Sequence, residues 1–303
     1  MLILTHIPHL LCCLHMRPVP PPTPGTVVTS RHNPLVKRFR DLARSRRPDQ
    51  RTLLLEGAHL VGEALGARLP IACAAFSESA WSDAANADLV RRLATSGTDL
   101  VRVSDAVLNA LSPVRSPSGV VAICEREPTS LEAALERAPQ LVFIAVDLQD
   151  PGNAGALVRA AEAAGATSVV FCGTSADPFG WKALRGSMGS ALRLPVVARG
   201  EPVRAVETAR RLGVRIVAAA PRGGASLYDT DLTGPVAILF GAEGPGLAPS
   251  VLVRSDTVLS IPMRAPVESL NVAVAAAVVG YEAFRQRAVR SGQGRKGRPA
   301  ART

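Results

Sequence analysis

Five runs of this chain are short and almost uninterrupted in apolar residues: LVFIAVD at 141–147, SVVFC at 168–172, VRIVAAA at 214–220, VAILFG at 236–241 and TVLSI at 257–261. A strand with one wet face alternates apolar with polar residues, whereas a strand covered on both faces does not. These runs therefore read as parallel strands with helices on either side. Stretches of helical periodicity separate them: NAGALVRAAEAAG, WKALRGSMG, PVRAVETARRLG and the final LNVAVAAAVVGYEAFRQR. Strand-helix alternation predicts an α/β fold with a doubly wound parallel sheet, whose ligands settle outside the carboxyl ends of the strands.

A second α/β unit is expected ahead of it, over 27–125. SRHNPLVKRFRDLARSRR reads as a helix with Leu35, Phe39 and Leu42 on one face. TLLLEG, IACAAF, DLVRVS and GVVAIC read as strands, with AHLVGEAL and DAANADLVRRLAT as helices. Residues 126–139 form a polar linker with a short helix, and 140–290 hold the larger sheet. Residues 1–26 are expected to be a disordered leader and 291–303 a disordered basic tail.

The leader MLILTHIPHLLCCLHM is too short to span a bilayer and has no basic region before its apolar one, so a signal peptide is not expected. Met16 is an alternative start. His6, His9, Cys12, Cys13 and His15 match no zinc spacing, and no metal is expected. The five cysteines, an odd number without regular spacing, suit reduced thiols in a cytoplasmic protein. A formal net charge of +10 points to a polyanionic partner, nucleic acid before membrane. Arg31, Lys37, Arg38, Arg40, Arg44, Arg46 and Arg47 crowd one stretch, with Asp41 the one acid among them, and are the candidate contacts to a nucleic-acid backbone. With aromatics at 4%, shape recognition is favoured over base-stacking platforms.

Three strand-end loops carry the candidate chemistry. In DLQDPGNAGALVRAAEAAGA, Asp150 to Asn153 form a turn, Asn153 is placed to cap the next helix, and Arg159 lies two turns further on. In FGAEGPGL, Gly241, Gly244 and Gly246 let backbone approach a ligand closely, with Glu243 between them. Their spacing is not that of a dinucleotide fingerprint, and DLQDPGN after the first strand, where a nucleotide-linked oxidoreductase requires that fingerprint, argues against this alternative. In IPMRAPVESLN, either Ser269 or Asn271 caps the last helix, and the side chain left over faces the same crevice. That helix is apolar on almost every face, which calls for cover by the sheet and by a second subunit.

In this order, DPGNAGALVRAAEAAG, LFGAEGPGL and IPMRAPVESLNVAVAAAVVGYEAFR resemble the three signature motifs of the SpoU (TrmH) family of SPOUT-class RNA methyltransferases. LRGSMGSALRLPV is similar to the segment that the family carries between the first two. LLLEGAHLVGEAL and LSPVRSPSGVVAI resemble its RNA-binding domain, which is akin to small ribosomal proteins. The resemblance implies methyl transfer from S-adenosylmethionine to a ribose 2′-hydroxyl of structured RNA. It favours 23S ribosomal RNA, with transfer RNA or a non-catalytic RNA-binding protein on the same fold as alternatives. It further implies a deep trefoil knot, a homodimer, and cofactor contacts from Gly241, Ile261, Met263 and Leu270. Arg159 matches the family's catalytic arginine, with Asn153, Glu243, Ser269 and Asn271 orienting the hydroxyl.

Overall fold

The computed structural model describes residues 27–44, 51–138 and 140–291. The expected leader, the histidines and cysteines in it, Arg46, Arg47 and all but the first residue of the basic tail lie outside the described residues.

The amino-terminal unit runs β1 (Val27–Val28), α1 (Pro34–Arg44), β2 (Thr52–Glu56), α2 (Ala58–Gly66), β3 (Ile71–Ser77), α3 (Glu78–Ser82), α4 (Ala87–Thr95), β4 (Asp99–Val103), α5 (Asp105–Leu111) and β5 (Val120–Glu125). Its sheet has the order β1-β4-β3-β5-β2, with β5 antiparallel to both neighbours and the other pairs parallel. On α1, Leu35, Val36 and Phe39 are buried and Leu42 half-buried, as its spacing predicts. Burying each such side chain contributes about 1.5–3 kcal/mol, and this face holds α1 and α5 on one side of the sheet. The other side carries α2 and α4, and its core continues without a break into the carboxy-terminal unit.

The chain continues through α6 (Leu131–Leu135), β6 (Leu141–Val146), α7 (Pro151–Ala163), β7 (Ser168–Cys172), α8 (Trp181–Ser187), α9 (Ser190–Arg193), β8 (Val196–Gly200), α10 (Pro202–Arg211), β9 (Arg215–Ala219), β10 (Ala225–Ser226), β11 (Val236–Phe240), α11 (Pro249–Leu252), β12 (Thr257–Ser260) and α12 (Val272–Arg290). The sheet is wholly parallel, in the order β10-β12-β9-β11-β6-β7-β8. All five expected strands are present, and β6, β7 and β11 are buried at every residue. The sequence pattern missed the two edges, β8 and β10. Only Val196 and Val197 of β8 are buried, so an edge strand of this kind leaves no long apolar run to read. WKALRGSMG is helical through Ser187, as α8; Met188 and Gly189 take left-handed backbone, end that helix and separate it from α9.

Register carries the strand ends to one level: Phe240 of β11 lies opposite Ala145 and Ala219, and Leu259 of β12 opposite Ala219. The loops after β6, β9, β11 and β12 therefore open on one edge of the sheet. Along α12, Val272, Ala273, Ala276, Val279 and Ala283 are buried, while Val274, Tyr281, Phe284 and Val289 stay exposed. No helix of the described residues is long and apolar enough to cross a membrane.

Candidate active site

The first motif loop differs from expectation in one respect. Asn153 does not cap α7; Asp150 does, its Oδ1 accepting a hydrogen bond from the Asn153 backbone N–H at 2.7 Å. Asp150 precedes Pro151 in extended backbone, the conformation a cap requires, whereas Asn153 already lies inside the first turn. Its side chain is thereby released for other partners. Asn153 Nδ2 donates to Glu243 Oε1 on the loop after β11, and Asn153 Oδ1 accepts from Asn271 Nδ2 at 3.0 Å. One residue from each of the three motifs thus joins a single chain of hydrogen bonds, across 90 and 118 residues of sequence.

Asn271 settles the question of the last helix. Its Oδ1 accepts from the N–H groups of Ala273 and Val274 at 2.9 and 3.3 Å, so it is the cap of α12. Its amide nitrogen remains free to hold Asn153, and the amide assignment follows from this network. Ser269 is the side chain left over, exposed on the wall of the cavity that the loops enclose.

That cavity measures about 340 Å³, within the usual range for a small-molecule site. Gly241, Glu243, Ile261, Met263, Ser269, Leu270 and Asn271 all line it. Phe240, Leu259, Val272 and Ala275 add apolar wall. A fourth loop, Ala219 to Pro221 at the end of β9, closes one side and was not singled out from sequence, although Pro221 after an apolar run is a strand-end signal. Gly241 is indispensable to the shape. A Cβ there would stand 2.3 Å from the Gly246 carbonyl carbon and 2.4 Å from the Leu247 nitrogen. Two backbone hydrogen bonds between Ala242 and Gly246, 3.2 and 3.0 Å, pin the loop in this fold-back. Larger cavities, of about 400 Å³ between the units and 590 Å³ at the amino-terminal strand ends, hold no residue of the three signature motifs.

Two expected catalytic residues do not line the cavity: Asn153, tied to its lining by Glu243 and Asn271, and Arg159. The Arg159 side chain is exposed on α7, without an ion pair or hydrogen bond to any described residue. The basic residues of α1 are also remote. Lys37 and Arg40 are exposed and Arg38 half-buried on a helix whose core is that of the amino-terminal unit alone. Arg31 donates its Nε to the Ala106 carbonyl at 3.2 Å. No group of three or more metal-binding side chains occurs among the described residues, and Cys73, Cys124 and Cys172 are buried free thiols.

Two family models match separate parts of the chain. Residues 140–281 match the SpoU rRNA Methylase family, and residues 33–122 the MRM3-like substrate binding domain. A Synechocystis protein described as an uncharacterized tRNA/rRNA methyltransferase is 34% identical over 264 residues, 86% of this chain and 93% of the relative. The 23S rRNA (guanosine(2553)-2′-O)-methyltransferase RlmP of Bacillus subtilis is 32% identical over 257 residues, 84% of this chain and 97% of that one. The chain belongs to the SpoU rRNA methylase family. Among solved SpoU structures, AviRb of Streptomyces viridochromogenes in complex with AdoMet superposes with a TM-score of 0.76 at 29% identity, covering 84% of this chain and 98% of AviRb. The AdoMet-bound rRNA methyltransferase of Sinorhizobium meliloti gives 0.74 at 28% identity, covering 86% and 97%. The carboxy-terminal unit is accordingly a SPOUT-class α/β domain; its second and third motif loops line the cavity, and the first joins them through Asn153.

Proposed function

We infer that the protein methylates a ribose 2′-hydroxyl of RNA with S-adenosylmethionine as donor. The observation that carries this reading is the Glu243–Asn153–Asn271 chain at the mouth of a cavity lined by the backbone of Gly241 and by Ile261, Met263 and Leu270. The residues suit the donor. A cradle that a Cβ would fill lets main-chain groups meet a polar ring edge, and Leu259, Ile261 and Val272 cover an apolar body. When bound, the donor supplies an already electrophilic methyl carbon, so the protein's task is alignment.

The alignment falls to five side chains. Asn153, Glu243, Ser269 and Asn271 orient the hydroxyl, with the Asn153 amide locked between its two partners. Arg159, whose guanidinium keeps its charge at any ordinary pH, clamps the phosphate beside the target ribose in a forked hydrogen bond. That phosphate lies outside the donor cavity, in keeping with the exposed position of Arg159.

Residues 27–125 serve as the RNA-binding unit, 126–139 as linker and 140–290 as the transferase, whose final segment is threaded as a trefoil knot. The exposed Val274, Tyr281 and Phe284 of α12, an apolar stripe beside α7, support a homodimer through the transferase unit. Ribosomal RNA of the large subunit is the favoured substrate, by likeness to RlmP. Buried thiols with no disulfide among the described residues fit the cytoplasm. The test is transfer of labelled methyl groups from the donor to large-subunit ribosomal RNA, followed by mapping of 2′-O-methylation. One modified ribose is expected with the wild type and none with Arg159→Ala, whose donor affinity stays that of the wild type. An Arg159→Ala protein that still methylates refutes the assigned role, and no ribose product refutes the reaction.

A further inference from the structure

The helix α8 lies wedged between the two units, and its outer face is charged. Ala183, Leu184 and Ser187 are buried against α7, so tightly that a Cβ on Gly155 would lie 2.2 Å from the Ala183 carbonyl oxygen. Lys182 and Arg185, three residues apart and so on one face, are exposed. This face adjoins the crevice, because Gly186 packs on the Gly152 carbonyl in the first turn of α7, one residue before Asn153.

The same helix touches the amino-terminal unit through one buried carboxylate. Glu56, at the end of β2, accepts hydrogen bonds from the Ser118 N–H at 2.9 Å and the Ser118 hydroxyl at 3.2 Å on Oε1. Its Oε2 stands 3.9 Å from Arg185 Nε. Glu56 thereby ties the 112–119 loop, which carries the exposed Arg115, to α8.

Most other exposed arginines of the transferase unit are engaged: Arg193 with Glu63 and Glu162, Arg204 with Glu132, Arg210 with Asp256, Arg222 with Glu268. Lys182 and Arg115 have no carboxylate partner among the described residues, and Arg185 has only the long contact to Glu56. The cationic helix α1 is differently placed. It packs on the face of the amino-terminal sheet whose core includes no residue beyond Ile123, whereas α8 belongs to the core shared by both units.

We propose that Lys182 and Arg185 of α8, with Arg115 on the loop that Glu56 ties to them, form a phosphate-binding ledge that carries the RNA backbone from the amino-terminal unit to the crevice. This rests on the reading of the protein as an RNA methyltransferase and adds where the substrate lies. Phosphate contacts of this kind set position and salt dependence rather than base choice.

The experiment compares the full-length wild type with Lys182→Gln/Arg185→Gln and, separately, with Lys37→Gln/Arg40→Gln on α1. Binding of a large-subunit ribosomal RNA transcript is measured at several salt concentrations, alongside donor affinity and methylation kinetics. The α8 variant is expected to bind RNA about tenfold more weakly, with a log–log salt slope shallower by about 2, one per cation removed. Its KM for RNA rises while kcat at saturating RNA stays within about twofold and donor affinity is unchanged. Lys182→Arg/Arg185→Lys should restore binding, which separates charge from fold. RNA affinity and slope equal to the wild type overturn the ledge, as does a loss that the charge-conserving pair fails to repair. Because binding is read without turnover, a wild type that holds RNA but transfers no methyl group counts against the proposed reaction and leaves the ledge to be judged on its slope.

Discussion

Replacing Gly241 by Ala tests the cavity directly. The added Cβ meets the Gly246 carbonyl carbon at 2.3 Å and the Leu247 nitrogen at 2.4 Å, both backbone atoms that no rotamer change can move. The loop must therefore open. Opening it breaks the two hydrogen bonds between Ala242 and Gly246, each of net worth about 0.5–1.5 kcal/mol, hence about 1–3 kcal/mol together. Overpacking a tight site by one methyl group costs about the same, 1–3 kcal/mol. At about 1.4 kcal/mol per factor of ten, donor affinity should fall by roughly fivefold to 150-fold. Isothermal titration of S-adenosylmethionine into the folded variant reads this out. Gly234→Ala is the control, since its Cβ enters open space and its backbone needs no positive φ. A Gly241→Ala protein that binds the donor within twofold of the wild type would refute the argument that this fold-back shapes the site.

Asn271→Ala removes the cap of α12 and should lower stability by about 1 kcal/mol, seen as a Tm about 2–4 °C lower. Asn271→Asp keeps an oxygen for the Ala273 and Val274 N–H groups but cannot donate to Asn153, so it should melt like the wild type yet lose methyl transfer; an active Asp variant removes Asn271 from the hydroxyl-orienting set. Burial raises the Asp177 carboxyl above its usual range, with the Phe179 N–H and the charges of Arg199 and Arg126 pulling the other way. A raised carboxyl favours the protonated folded form, so its ionisation costs stability as pH rises through the folded value, and that cost is absent below the unfolded value of about 3.9. Asp177→Asn, which keeps the oxygen that Phe179 N–H uses, should therefore raise Tm at neutral pH, with the gain shrinking as pH falls to the carboxylate range; a constant difference across pH contradicts this. Burial pushes the thiols of Cys73, Cys124 and Cys172 up to about 12, so peptide mass spectrometry should find all three unalkylated by iodoacetamide in the native protein near pH 8 and alkylated in denaturant.

Local pattern was enough for the elements whose burial is complete. A strand such as VAILF, apolar at every position, has no alternative to lying between two helical layers, and it does so as β11. The apolar face of α1 and the three motif loops were legible for the same reason: spacing, turn residues and glycines act over a few residues. The edge strands β8 and β10 were not legible, since an edge buries too little side chain to mark the sequence.

What only the tertiary structure decided is which polar atoms meet. Cap assignment depends on backbone angles that neighbouring residues share, so Asp150 rather than Asn153 closes α7, and Asn271 rather than Ser269 closes α12. Freed from capping, the Asn153 amide reaches Glu243 and Asn271 because strand order and register bring the ends of β6, β11 and β12 to one level. Strand order likewise adds the β9 loop as a wall and leaves Arg159 and α1 outside the cavity. Hydrogen bonds act over about 3 Å, and no one-dimensional pattern specifies distances that small between residues 90 or more positions apart.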